Sequence, residues 1–283
     1  MTHFINLTLN GLATGAAYAA LALSLVIIYQ ATRLVNFAQP ALALVAVYTA
    51  YTVTGITGSY WLGFAAALTA GLVAGAAVER FVIRPIARVS QLNAIIVTLG
   101  LLLVVQGLVG MVWGNEQHGF RYAFSYVGRF APSSVFALVS VGAVALLLFA
   151  LYRFTPLGLR MRAAAFHPEA ARLSGVRVGL MLTAGWAIAS CIGALAGMLA
   201  GPPFISPNVF DVVFVYGITA AVIGGLDNPF GAVVGGLLIG LGMSYVSGYA
   251  GPELATLTAL AIVVVVLSVR PDGILSRPTA RKV

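Results

Sequence analysis

The side chains of this sequence that could ligate a metal or open a nucleophilic attack are few and badly placed for either task. His3, His118 and His167 lie far apart, Cys191 has no second thiol, and no serine stands in a recognisable order with a base. Neither a metal-ligand set nor a nucleophile–base pair can be assembled from that spacing. The one lysine, Lys282, is near the C-terminus, and no G-x-x-x-x-G-K-[ST] occurs, so the chain has no phosphate-binding loop of its own. It is not expected to be an enzyme, and any ATP chemistry belongs to another protein. Glu79, Asp211, Asp227 and Glu253 stand at the ends of apolar runs and are expected to be solvated or to snorkel. No carboxylate or histidine sits in the middle of such a run, where proton- or sodium-coupled carriers hold their ion.

One stretch is built differently. Arg153–Val178 carries Arg153, Arg160, Arg162, Arg172 and Arg177 against the single acid Glu169. Inside it Pro168 suits a first helical position, Glu169 and Arg172 complement the two ends of the helix dipole, and Gly175 can take the left-handed stop. This predicts a helix of about two turns from Pro168 to Ser174, with Ala170 and Ala171 as a slim face. Glu169 either caps this helix or pairs with an arginine of a partner. A helix so short does not persist alone in water and must pack on its own chain or on another protein. The pattern E-A-A-x-x-x-G formed by Glu169, Ala170, Ala171 and Gly175 resembles the coupling loop by which permeases of ABC importers dock on their ATPase subunits. Pro168, Glu169, Ala170, Ala171, Arg172 and Gly175 are then the ATPase-coupling residues.

The elements that must carry this loop are read from composition. With 61% hydrophobic and 8% charged residues the chain is far from the quarter or so of charged residues usual in soluble domains. It is expected to be all-α and polytopic, a single transmembrane domain over residues 1–283 with a loop at 153–178 and a polar tail at 270–283. About nine spans are expected, with eight to ten as the range. They are Leu7–Tyr29, Asn36–Thr57, Tyr60–Val78, Leu92–Trp113, Val135–Tyr152, Gly179–Ala200, Val212–Leu226, Gly231–Ala250 and Leu254–Val269. The first, without a basic flank before it, is expected to be retained rather than cleaved. The third is followed by Glu79, Arg80, Arg84, Pro85 and Arg88, expected as a basic loop. The +8 formal charge does not point to nucleic acid, because the basic residues sit in short loops and the tail.

Charge sets the orientation. With the tail in the cytoplasm, every Lys and Arg except Arg121 and Arg129 falls inside, which places the N-terminus outside and the 153–178 loop in the cytoplasm. Trp113, His118, Phe120, Tyr122, Phe124, Tyr126 and Phe130 then cluster at the external face, as an interfacial belt or as a docking surface. Two spans start brokenly, one at Asn36, Gln39 and Pro40 and one after Pro202–Asn208, and helices interrupted at matching places in two halves point to a transport site. Asn36 and Gln39 on the second span, with Thr98 and Gln106 on the fourth, are expected to face a translocation path. Glycines four apart, such as Gly11 with Gly15 and Gly236 with Gly240, are expected to seat helices against one another.

Across the chain, NGLATGAAYAALALSLVIIYQATRLVNFAQ, VTLGLLLVVQGLVGMVWG, TPLGLRMRAAAFHPEAARLSGV, ITAAVIGGLDNPFGAVVGGLLIGLG and VRPDGIL occur in the order and spacing of permease subunits of branched-chain amino acid ABC importers. The resemblance implies a subunit of the bacterial cytoplasmic (inner) membrane that moves a small amino acid by alternating access. It implies as partners two ABC ATPase subunits, which hold the ATP and Mg, a second and homologous permease subunit, and an extracytoplasmic substrate-binding protein. One element departs: family members often continue Asn-Phe-Ala with His-Gly-Glu, whereas Asn36, Phe37 and Ala38 lead here into Gln39, Pro40 and Ala41. A urea or short-amide permease of the same family is therefore an alternative, and a stand-alone channel for a small neutral solute is the alternative outside it.

Overall fold

The structure is a computed structural model that describes residues 2–87, 91–120, 123, 131–200 and 204–269. Arg88, Arg121, Tyr122, Phe124, Tyr126, Arg129, Phe130, Pro202 and the tail 270–283 lie outside the described residues. The chain is helical almost throughout. In order, α1 is Thr2–Thr32, α2 Gln39–Thr57 and α3 Tyr60–Ala77, which runs on through a π-helical turn, Val78–Ile83, into the short α4, Arg84–Ala87. Then come α5 Gln91–Trp113, α6 Pro132–Phe154, α7 Pro156–Phe166, α8 Pro168–Leu173, α9 Val178–Ala200, α10 Phe210–Gly224, α11 Pro229–Tyr249 and α12 Pro252–Val269. A two-residue strand β1, His118–Gly119, pairs antiparallel with β2, Phe204–Ile205.

Each expected span is present as a helix. Eight are long and apolar enough to cross a membrane, and α10, with 15 residues, is not. At 1.5 Å per residue it is about 22 Å long, against a hydrocarbon core of about 30 Å. The basic loop expected after Val78 is corrected: as far as residue 87 it is helix, continuous with α3.

α1 lies at the centre. Its residues from Ala16 to Ile28 are buried on nearly every side, as expected for a helix that is apolar all round. It packs against α11, α9, α10 and α6. The glycine spacing serves this packing. A Cβ on Gly240 of α11 would fall on Gly15 Cα and the Gly11 carbonyl, and one on Gly236 would overlap the backbone of Ala19. On the other side of α9, a Cβ on Gly71 of α3 would lie 2.7 Å from Ala194 Cβ and 2.8 Å from the Ser190 carbonyl. α5, α6 and α12 form the periphery, where Leu103, Met111, Leu146, Leu147 and Val264 are exposed.

The two ends of the bundle are told apart by contacts. At one end Arg33 meets Asp227 and Phe166, and Arg84 meets Gly179. At the other, Trp113 Nε1 donates to Thr52 Oγ1, His118 and Phe204 lie in the paired strands, and Thr8 bonds Tyr245. The chain thus gathers at one end the described parts of the loops that charge assigns to one side.

Candidate functional site

The break before α2 lies deep in the bundle. α1 ends at Thr32 and the chain is non-helical until Gln39, where Pro40 in the first turn sets the helical φ and has no N–H to waste. Asn36 organises the turn: its Oδ1 accepts from the Ala38 N–H at 3.0 Å and its Nδ2 donates to Gln39 Oε1 at 3.0 Å. Gln39 Nε2 in turn donates to the carbonyl of Ala189 at 3.3 Å. Both side chains are at most 1% exposed. Ala189 is the middle residue of the 23-residue α9, so this amide pair sits about halfway through the bundle. Gly193, one turn further on, leaves the space that Gln39 Nε2 fills. Beside them Phe37 meets Phe214 of α10 edge to face, with ring centroids 5.9 Å apart.

α10 also starts short of the bundle's end, on a partly exposed side. Val209 and Asp211 donate backbone bonds to Ser206 and Asn208 in the turn before it. Gln106 Nε2 then donates to Asp211 Oδ1 at 2.8 Å. Gln106 is seven residues short of the end of α5, a depth of about 10 Å. The two broken starts expected from the sequence therefore both lie short of the bundle's ends, the start of α2 buried and that of α10 with Asp211 and Val212 exposed, and Phe37 and Phe214 bring them together. Of the four residues expected on a path, Asn36 and Gln39 are joined to each other and to α9, and Gln106 is joined to α10. Thr98 is buried, but its hydroxyl donates to the Ile95 carbonyl of its own helix at 2.8 Å.

At the Arg33 end, α7 and α8 stand between α6 and α9. Thr155 caps α7, its Oγ1 accepting from the Gly158 N–H at 3.1 Å. α8 has Pro168 and Glu169 in its first turn and Arg172 in its last. Val176 N–H donates to the Ala171 carbonyl and Gly175 N–H to the Arg172 carbonyl, with Gly175 at φ +80°. This is the paired closure that a left-handed glycine makes at a helix end. The slim face is divided, however. Ala171 is buried with Ala164 and Val178, whereas Ala170 is exposed together with Pro168, Glu169 and Arg172. Leu173 is 91% exposed.

Two arginines hold this element, and the sequence reading missed both roles. Upstream, the Arg33 guanidinium lies 5.6 Å from the ring centroids of Tyr29 and of Phe166, the last residue of α7, and Nη1 donates to the Asp227 carboxylate. Downstream, Arg84 donates from Nε and Nη2 to the two oxygens of Glu79 at 3.0 and 2.7 Å, and from Nη2 to the Gly179 carbonyl and Thr183 Oγ1. Thr183 also donates to Glu79 Oε2 at 2.7 Å. Glu79, expected to be solvated, is thus corrected: its side chain is 3% exposed and fully partnered. The π-helical turn brings residues five apart together, which α-helical spacing does not. The only hint in the sequence was an acid just ahead of a run of arginines.

The comparisons with known proteins cover the same span. The family model for the branched-chain amino acid transport system, permease component, matches residues 7–268. The high-affinity branched-chain amino acid transport system permease protein LivH of Salmonella typhimurium is 27% identical over 304 residues, covering 99% of this chain and 98% of its own. BraD of Pseudomonas aeruginosa, under the same description, is 25% identical over 303 residues, with the same shares covered. A probable branched-chain amino acid transport permease protein LivH of Methanocaldococcus jannaschii is 28% identical over 278 residues, covering 90% and 87%. An apolar helical bundle with interrupted helices, matched from α1 to α12, makes this chain a polytopic membrane permease subunit that belongs to the family of branched-chain amino acid transport system permease components.

Proposed function

We propose that the chain is the permease subunit of an ABC importer that moves a small amino acid, branched-chain in the first instance, by alternating access. Its Arg33–Asp227 end faces the cytoplasm and α8 seats in a groove of a partner ATPase. The reading has two such ATPases holding the ATP and Mg, a second permease subunit and an external binding protein, as the resemblance to ABC importer permeases implies. The observation that carries it is α8 itself. A two-turn helix held to its own chain through Ala171 turns Pro168, Glu169, Ala170, Arg172 and a 91% exposed Leu173 to solvent, and a helix this short gains from packing a second face on a partner.

The route runs past the broken start of α2. Asn36 and Gln39 satisfy each other while the bundle is closed there, and either amide can turn to a solute once α2 and α9 part. On a neighbouring face of α9, Trp186 Nε1 and Ser190 Oγ are buried with no hydrogen-bond partner, so the centre of this helix holds unused polar capacity. Asn36→Leu and Gln39→Leu are expected to lower the maximal rate of leucine uptake more than the Leu variants of Thr98 and Gln106, at unchanged assembly. Each also strands a buried amide at a cost of about 1–3 kcal/mol. Unchanged uptake in all four would remove these residues from the route. Running the same assay with urea and acetamide separates the amino acid reading from the amide one.

For the docking helix the substitutions are Gly175→Val and Ala170→Trp. Valine at φ +80° is strained by about 1–2 kcal/mol, a five- to thirty-fold effect if it falls wholly on docking. Ala170→Trp enlarges the outward face without touching the packing of Ala171. Both variants are expected in the membrane in normal amount, with less ATPase co-purifying and less leucine uptake. Full ATPase retention with normal uptake in both would show that α8 is not the docking element.

A further inference from the structure

Arg33 stands where three elements meet. It ends α1 at φ +57°, the one positive φ outside glycine among the described residues, with its N–H donating to the Tyr29 carbonyl at 2.7 Å. A side chain is rarely held in this region without contacts that require it. The contacts are plain: the guanidinium lies between the rings of Tyr29 and Phe166 and reaches the Asp227 carboxylate. Gln30 Nε2 adds a bond to the Asp227 carbonyl at 2.8 Å. Phe166 is separated from α8 by His167 alone, and Asp227 belongs to the turn between α10 and α11.

The clamp on the other side of α8 has the opposite character. Arg84 and Glu79 are joined by two hydrogen bonds, Glu79 is 3% exposed, and the pair grips Gly179 and Thr183 at the start of α9. A buried pair of this kind is costly to break. Arg33 and Asp227, at 41% and 54% exposure, form a pair that water and salt can replace. A push on α8 therefore meets a fixed point at α9 and a yielding one at Phe166. α11, which follows the Asp227 turn, packs along α1.

We propose that Arg33 is a positioning residue that relays displacement of α7–α8, through Phe166 and Asp227, to the α10–α11 turn, with the Arg84–Glu79 pair as the fixed pivot. The relay rests on α8 being the ATPase-docking helix. The test uses the assembled transporter in proteoliposomes, with leucine uptake, ATP hydrolysis, ATPase co-purification and thermal stability measured together. Arg33→Gln, Asp227→Asn and Phe166→Ala are expected to keep the ATPase bound while lowering leucine moved per ATP by roughly 2- to 30-fold. The charge swap, Arg33→Asp with Asp227→Arg, is expected to recover part of that ratio, which a loss of general stability would not. Asp227→Asn is isosteric and keeps the measurement readable if Arg33→Gln fails to assemble. An unchanged leucine-to-ATP ratio in Asp227→Asn and Phe166→Ala overturns the relay, as does a ratio that falls only with thermal stability. If the α8 variants uncouple and these do not, the relay alone is wrong. If neither set has an effect, the docking role of α8 is wrong.

Discussion

Gly240→Ala is expected to leave little folded protein, while Gly242→Ala, two residues along the same helix, is expected to be tolerated or slightly stabilising. The added methyl at 240 would sit on Gly15 Cα and the Gly11 carbonyl. Backbone atoms cannot rotate away as a side-chain tip can, so α1 and α11 must separate along their length. Overpacking usually costs about 1–3 kcal/mol, and this position belongs at or above the upper end because the obstruction is main chain on a central helix. At 242 nothing lies within 4 Å of the new Cβ, and removing a mid-helix glycine favours the helix by about 0.5–1 kcal/mol. Thermal unfolding of the two variants in the same detergent gives opposite signs if the α1–α11 contact is as close as described. Equal, small shifts would mean that the helices are not in backbone contact there.

The second large effect is expected at Glu79. Glu79→Ala leaves the Arg84 guanidinium without its counter-charge in a site where its side chain is 22% exposed. Breaking a buried pair from one side costs about 3–5 kcal/mol, and the residual exposure of Arg84 places the loss toward the lower figure. Glu79→Leu combined with Arg84→Met should cost far less than the sum of the two single changes, because apolar groups of similar volume replace both charges. A double-mutant cycle read by thermal unfolding decides this. Additive losses would show that the two side chains contribute separately.

What could be read from the sequence was local. The start and stop of α8 are set by Pro168, Glu169, Arg172 and Gly175 within a single short segment, so they were legible, and Gly175 does take the left-handed conformation. Which side of α8 faces its own chain is a tertiary fact, and Ala171 is turned inward where the pattern treated it like Ala170. The breaks at Asn36 and Asn208 were legible from proline and polar residues, but their depth was not, because depth is measured against α9 and α5. Glu79 was misread for a related reason. Helix termini are inferred from charge and proline, yet α3 continues through a π-helical turn into Arg84–Ala87, and only the folded chain brings Thr183 and Gly179 to that acid.

The position of α1 has a consequence for how the molecule is made. α1 is made before every described helix it packs against, yet it ends deeply enclosed, and its closest neighbour, α11, begins almost two hundred residues after it ends. At synthesis rates of about 5–20 residues per second, α1 waits roughly 10–40 s for that neighbour. It must wait in lipid, which explains why a helix destined for the interior is apolar all round and unionised until Arg33. Its glycine face stays unmatched throughout, so a nascent chain halted before Gly236 is an unfinished bundle with an open seam, a substrate for membrane proteases rather than a smaller permease.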